Sequence, residues 1–455
     1  MHGNSHATKA ATRIRAAAAT RIRASAATRM RASAATRMRA SAATRMRASA
    51  ATRMRASAAT RMRASAATRM RAAAAALSIL ALAACGSSAG GSDSSSGPIL
   101  IGEVAGTTGA YGTTGQAMVN GAKMAVAYLN AHGGIMGRKV RLQYYNDGAS
   151  ATLAAQEFDR LISAGAVAIT GSGDTGPAIA AEADRRKMPA IGVVDDGGLT
   201  VYPNGPNSAP LPWVFDLGLN TFAWGTKIGQ YALAHCNGLA VLHDPTTYGE
   251  GGLAGIQSVY SAAGKKLAFT DSITENWASG ATVSLTSEIN QIKATRANCV
   301  DVWLTPQDQA AFAQAAHNQG ANFTLLGNDE TDSDTTYSSL AGNMANGTIS
   351  ALLTTEVDPS AALKAFEAQY QSEFSTPATP FAEATYDSIM MLKQAIESAK
   401  STSPTAIQNA FNHISGFQGL TGLLSFTPSK HTTINADQLT LVRYDAATKQ
   451  WVPVG

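Results

Sequence analysis

Gly171-Ser172-Gly173-Asp174-Thr175-Gly176 has the spacing G-x-G-x-x-G, and Asp195 and Asp196 follow roughly 20 residues later. After a strand and before a helix, that pattern is a dinucleotide fingerprint. Its glycines make the tight turn, its amides hold a pyrophosphate and the acid holds a ribose. Here the unit would be the third strand of its array rather than the first, which weakens a nicotinamide reading. The same residues have a simpler use: a helix N-terminus at a strand's carboxyl edge offers free amides, and Thr175 a hydroxyl, to an anionic or polar ligand. Gly86-Ser87-Ser88-Ala89-Gly90 matches the hydrolase pattern G-x-S-x-G but sits in a Gly/Ser-rich stretch without strand-turn-helix context. The six histidines beyond residue 84 show no metal-binding spacing, and no nucleophile–base pair stands out. The sequence therefore implies no cofactor, no metal and no enzyme.

The elements that must position these residues form two arrays. Apolar β-rich runs at 99–104, 140–145, 166–170 and 190–194 alternate with helical patterns at 114–132, 151–164 and 178–186. The alternation restarts with a helix at 222–234, a strand at 239–243, a helix at 252–263 and a strand at 267–273. Segments 284–294, 300–305, 310–319 and 324–326 continue it. Such alternation predicts βαβ units and parallel sheets, so the fold class is α/β with two Rossmann-like lobes. Segment 360–398 reads as mostly helical and 419–454 as a β-rich tail of hairpin strands. Cys236 and Cys299 each precede a predicted strand of the second array, and in a doubly wound sheet the first and third strands are neighbours. A disulfide is expected, the alternative being two unpaired buried thiols.

Charge divides the chain. Residues 1–84 carry Lys9, sixteen Arg and no carboxylate; the remainder carries 19 basic and 31 acidic side chains. An acidic body argues against nucleic acid as a partner. From Ala11 to Ala74 an eight-residue unit, A-T-R-[IM]-R-A-[SA]-A, recurs eight times. That is too short for a solenoid repeat and too poor in apolar residues to form a core. It reads as a membrane-surface or nucleic-acid arm, a transit peptide, or a tandem expansion upstream of the true start; Met62 would give a signal of ordinary length. An apolar run from Ala72 to Ala84 follows Arg69 and Arg71, then Cys85 and a Gly/Ser-rich tether to Gly97. Leu82-Ala83-Ala84-Cys85 closely resembles the bacterial lipobox, which implies cleavage and lipidation at Cys85 and a membrane-anchored product. Exported proteins rarely use diffusible nicotinamide, which again weighs against an oxidoreductase.

Over residues 100–455 the chain resembles a known family. Ile101-Gly102, Gly109-Ala110-Tyr111-Gly112, Asn120-Gly121-Ala122 and Asn130-Ala131-His132-Gly133-Gly134-Ile135-Met136-Gly137-Arg138 look like the opening of the leucine/isoleucine/valine-binding protein family. Tyr144-Tyr145-Asn146-Asp147, His243-Asp244, Tyr248-Gly249-Glu250-Gly251, Gly327-Asn328-Asp329 and Ala384-Thr385-Tyr386-Asp387 continue the likeness in order. These are type I periplasmic substrate-binding proteins of ABC importers. The resemblance implies two lobes joined by three crossovers, a ligand caught between them, and a permease and ATPase as partners. It places lobe I at 98–216 and 357–422 and lobe II at 217–356 and 423–455, after a 1–84 leader and an 85–97 tether.

Carried over residue by residue, the resemblance assigns ligand loops to Asp174 and Thr175, to Asp195 and Asp196, and to Tyr111. It assigns the second-lobe tyrosine to Tyr248 and the acid for a ligand ammonium to Asp329. Tyr248 could instead be a turn aromatic, and Asp329 or Asp174 a helix cap. Amino-acid binders usually have Ser, Thr or Ala where Asp174, Asp195 and Asp196 stand, and carboxylates there would repel a ligand carboxylate. Thr305-Pro306-Gln307-Asp308 lacks the tyrosine of the branched-chain binders. The expectation is an exported, monomeric, lipid-anchored receptor for a small polar solute. A ligand-sensing regulator of the same fold is the alternative, and an oxidoreductase the remote one.

Overall fold

Ile99–Ala105 and Leu239–His243 are buried along their whole length, as central strands are in sheets covered on both faces. The computed structural model describes residues 97–108, 112–173, 175–192, 197–205, 208–276, 281–332 and 335–454. The octad repeats, Cys85 and the tether up to residue 96 lie outside the described residues.

The first array comprises β1 (Ile99–Ala105), α1 (Gly112–Ala131), β2 (Val140–Asn146), α2 (Ala151–Ser163), β3 (Ala168–Ser172), α3 (Gly176–Arg186), β4 (Ala190–Gly192), α4 (Gly197–Thr200) and β5 (Val214–Asp216). Its strands are all parallel, in the order β2-β1-β3-β4-β5. The second array comprises α5 (Thr221–His235), β6 (Leu239–His243), α6 (Thr247–Ala262), β7 (Phe269–Ser272), α7 (Thr286–Thr295), β8 (Cys299–Trp303), α8 (Pro306–Asn318), β9 (Thr324–Gly327), α9 (Thr336–Ala341) and β10 (Ile349–Leu353). The chain then runs through α10 (Thr354–Val357), α11 (Ala361–Phe374), α12 (Pro380–Ala399), α13 (Pro404–Phe411), the short pair β11 (Phe417–Gln418) and β12 (Leu423–Leu424), β13 (Leu439–Asp445) and β14 (Gln450–Pro453). The second sheet is ordered β14-β13-β10-β9-β8-β6-β7; β13 pairs antiparallel with both of its neighbours, β10 and β14.

The two sheets are the cores of two lobes, with α12 packed back on the first. A Cβ at Gly121 of α1 would collide with the Ala382 backbone, so the bare glycine is what lets α1 and α12 touch. Helix starts follow side-chain caps: Ser150, Asn220, Thr246, Thr305, Ser360 and Ser403 each accept from a backbone N–H in the first turn. Two of these caps explain where the structure departs from expectation. Helix α6 begins at Thr247, not Gly252, because Thr246 caps it and its glycines are needed for close packing. Helix α8 begins at Pro306, not Ala310, with Thr305 as its cap. Strands β5 and β10 and helices α9 and α13 had not been singled out in the sequence.

Cys236, just past α5, and Cys299, the first residue of β8, are joined by a disulfide with Cα atoms 5.9 Å apart. Parallel pairing of β6 with β8, which sets Leu239 opposite Cys299, brings them together.

Crossovers at 217–220, 354–360 and 432–438 link the lobes. The first and third are tied: Asp216 N–H donates to His431 O (2.8 Å) and Thr433 N–H donates to Asp216 O (3.2 Å). Phe426 packs against Phe215 and Phe411 with ring centroids 5.4 and 5.9 Å away, and His431 stacks on Phe215 at 4.3 Å. This aromatic cluster holds residues 424–431 on the first lobe.

Candidate functional site

In an open α/β sheet the ligand crevice lies beyond the carboxyl ends of the strands, where the strand order reverses. That point falls between β1 and β3 in the first lobe and between β6 and β8 in the second. At the first, Gly171, Ser172 and Gly173 have φ of 84°, 130° and 74°. Three successive positive values turn the chain sharply before α3, and a Cβ at Gly171 would overlap Val104 O. Thr175 then donates its hydroxyl proton to Asp147 Oδ2 at 2.6 Å. Asp147 follows β2, and burial raises its carboxyl while the Thr175 bond opposes the rise. With its proton committed, Thr175 has an accepting oxygen left for a solute. Tyr111, Asp174, Asp195 and Asp196 lie outside the described residues.

The second switch point is more fully formed. Asp244, buried at the end of β6, accepts from Thr246 N–H at 2.6 Å, and Thr246 caps α6. Tyr248, in the first turn of α6, donates its hydroxyl to Asp329 Oδ1 at 2.8 Å. Asp329 caps no helix: the next one, α9, opens beyond Thr335. The Tyr248 ring lies 5.6 Å from that of Trp303, whose indole N–H donates to Asp301 Oδ2 at 2.9 Å. Burial pushes the Asp329 and Asp301 carboxyls up to about 7, against the Tyr248 and Trp303 bonds respectively. Asp329 Oδ2 is buried without a hydrogen-bond partner.

Residues given no site role in the sequence fix this corner. Asn328 Nδ2 donates to Leu304 O (3.0 Å), and its Oδ1 accepts from Gln309 Nε2 (3.0 Å), Glu330 N–H (3.0 Å) and the Thr331 hydroxyl (3.1 Å). The loop carrying Asp329 is thereby pinned to β8 and α8. Thr305 donates its N–H and hydroxyl to Glu275 Oε1, both at 2.8 Å. Asp308 Oδ1 accepts from Val283 N–H at 2.7 Å. Burial and the neighbouring Asp308 carry the Glu275 carboxyl up to about 8. Among the described residues no Lys or Arg forms an ion pair with Asp147, Asp244 or Asp329.

A family model described as periplasmic binding protein matches residues 98–449. The chain belongs to that family. Its leucine/isoleucine/valine-binding branch supplies the similar curated proteins. "Leu/Ile/Val-binding protein homolog 3" of Brucella melitensis is 25% identical over 341 residues, which is 72% of this chain and 87% of that protein. "Leu/Ile/Val-binding protein BraC3" of Rhizobium johnstonii is 25% identical over 317 residues, 67% of this chain and 80% of that protein. Solved structures share the fold. A type 1 periplasmic binding protein from Bordetella pertussis aligns with TM-score 0.71 at 21% identity, covering 78% of this chain and 100% of that one. A branched-chain amino acid transporter substrate-binding protein from Streptococcus pneumoniae, in complex with isoleucine, gives TM-score 0.66 at 19% identity, with 78% and 99% covered. A solute-binding protein from Rhodopseudomonas palustris in complex with benzoate gives 0.66 at 17%, with 79% and 96% covered. Family members are substrate-binding proteins rather than enzymes, and membership implies an exported, periplasmic location.

Proposed function

We propose that this chain is the extracytoplasmic receptor of an ABC importer. It captures a small polar solute, an amino acid or a related amide or amine, by closing its two lobes on it, and performs no chemistry. Ligand contact with both lobes stabilises the closed state, which is the state a permease would accept. The observation that carries the reading is the pair of switch points at the sheets' carboxyl edges, one of them holding the buried Tyr248–Asp329 pair. The tied crossovers at Asp216 and Thr433 suit a hinge. Relatives named for leucine, isoleucine and valine support an amino-acid-like ligand, while the benzoate complex of one neighbour shows how far ligands range on this fold.

The lipid anchor at Cys85, a monomeric mature chain and an ABC permease with its ATPase as partners belong to the same proposal. Mass spectrometry of the mature N-terminus tests the anchor: acyl chains on Cys85 support it, and an unmodified start within the octad repeats overturns it. Thermal unfolding against amino acids, amides, amines and polyols, with X-ray scattering in parallel, tests capture. One ligand class should raise Tm by several degrees and shrink the radius of gyration. No shift with any compound, or a shift without compaction, rejects closure on a solute.

A further inference from the structure

Near Asp329 and the second crossover stand further acids without counter-charge. Asp332 lies three residues along the same loop. Glu356 lies in α10, on the second crossover, with Oε2 accepting from Leu353 N–H at 2.9 Å. Glu383 lies in the first turn of α12, on the first lobe, and is 3% exposed. Asp329 Oδ2, Asp332 Oδ2 and Glu383 Oε2 are each buried without a hydrogen-bond partner. Asp387, one turn further, differs: it accepts from Leu420 N–H, Thr421 N–H and the Thr421 hydroxyl at 2.9–3.0 Å, and so serves the fold. Among the described residues no Lys, Arg or His forms an ion pair with any of these acids.

The acids interact across the hinge. Burial raises both Asp332 and Glu383 well above the usual carboxylate range, and Glu356 raises both further. Buried carboxyl oxygens without donors cost free energy that an apolar side chain would avoid. A hinge built only for stability has no use for them. A metal ion is a poor occupant, because among the described residues no three acidic, His or Cys side chains converge to hold one. The acids are strung from one lobe to the other instead, an arrangement matched by a molecule whose positive charges are separated along its length. A ligand carboxylate would meet like charge at the described side chains of both edges, which include Asp147, Asp244, Glu275 and Asp329, and the Thr175 proton is already given to Asp147.

We propose that the solute is an elongated organic dication without a carboxylate, a diamine or guanidino-amine, with one end on Asp329 beneath Tyr248 and the other among Asp332, Glu356 and Glu383. This rests on the receptor reading and names its substrate class. It also gives closure a cause, since a cation between Asp332 and Glu383 joins second lobe to first.

Isothermal titration of the full-length protein at pH 8 with 1,4-diaminobutane, agmatine, 1-aminobutane, leucine and isoleucine tests it. A dication should bind one per chain, and 1-aminobutane, which lacks the second charge, about tenfold or more weaker. Glu356→Gln and Glu383→Gln should weaken the dication by about the same factor and leave 1-aminobutane unaffected. The single-charge ligand keeps the test independent of whether either variant folds. Binding of leucine or isoleucine but of neither dication overturns the proposal and leaves the receptor reading standing. Equal affinity for 1-aminobutane and 1,4-diaminobutane removes the hinge subsite. Heat from none of the five overturns the dication and counts against amino-acid-like solutes as well.

Discussion

The Tyr248 hydroxyl spans the second sheet's switch point to donate to Asp329 Oδ1 at 2.8 Å, while Asp329 Oδ2, equally buried, receives nothing. One oxygen is held in place by the fold and the other is left for a donor that arrives. Removing the tyrosine hydroxyl leaves two unsatisfied oxygens and a carboxyl harder to ionise. Tyr248→Phe should therefore weaken binding of an amine by about tenfold. Stability should change little, because the ring still rests on Trp303. Titration and a urea melt of the same variant separate the two effects; a large loss of stability with unchanged affinity would make the bond structural.

Trp303 depends in turn on a glycine. A Cβ on Gly252 would overlap the Trp303 ring, and one on Gly225 would overlap the Gly252 carbonyl, because α5 and α6 cross in near backbone contact. Overpacking of this kind costs about 1–3 kcal/mol. Gly225→Ala and Gly252→Ala should both lower the unfolding free energy from urea melts by such an amount. Gly252→Ala alone should also weaken ligand binding, since displacing Trp303 displaces Tyr248. Equal effects of both on affinity would mean that general loosening is responsible.

Much of this architecture is legible in local pattern, and what is not has a physical reason. Strand β6 is five consecutive apolar or aromatic-type residues between polar turns, and its bounds match the expectation. Strand β5 is three residues behind Pro210 and Pro212, too short for periodicity to register. The start of α6 is hidden by Gly249 and Gly251, residues more usual in turns, until their close contacts in the fold show why they are needed. At the site, Asp329 could be read by resemblance, but its supports come from β8, α8 and the loop after β9. Only the fold brings Asn328, Gln309 and Leu304 together. Glu383 in a helix's first turn looks like an ordinary favourable N-terminal acid; its burial opposite Glu356 depends on α12 packing back over the hinge.

The disulfide gives a prediction for the redox environment. Cys236–Cys299 closes a loop of 63 residues in the unfolded chain, for which the chain-entropy model gives about 4 kcal/mol of stabilisation. Reductant, or the double change Cys236→Ser with Cys299→Ser, should lower the urea midpoint accordingly and leave ligand affinity nearly unchanged, since both sulfurs lie at the edge opposite the cleft. A midpoint indifferent to reductant would mean that the bond does not form in solution.

The buried acids set the pH dependence of stability. Burial carries Glu103, in the first sheet, up to about 8, with the Thr170 bond and Lys123 opposing, and carries Asp301 up to about 7. Unfolded carboxyls titrate near 4, so between about pH 4 and 8 the folded chain holds protons that the unfolded chain has released. Stability from these groups is therefore complete at the acid end of that window and is lost as pH rises through 7 to 8. Urea midpoints should fall between pH 5 and pH 9. Glu103→Gln keeps the shape of the side chain and removes its titration. The variant should match the wild type at pH 5 and exceed it at pH 9, where the wild type must bury a charge beside Thr170. A wild-type midpoint that rises with pH, or a Gln variant weaker at both ends, would show that Glu103 is ionised and paired in the folded protein.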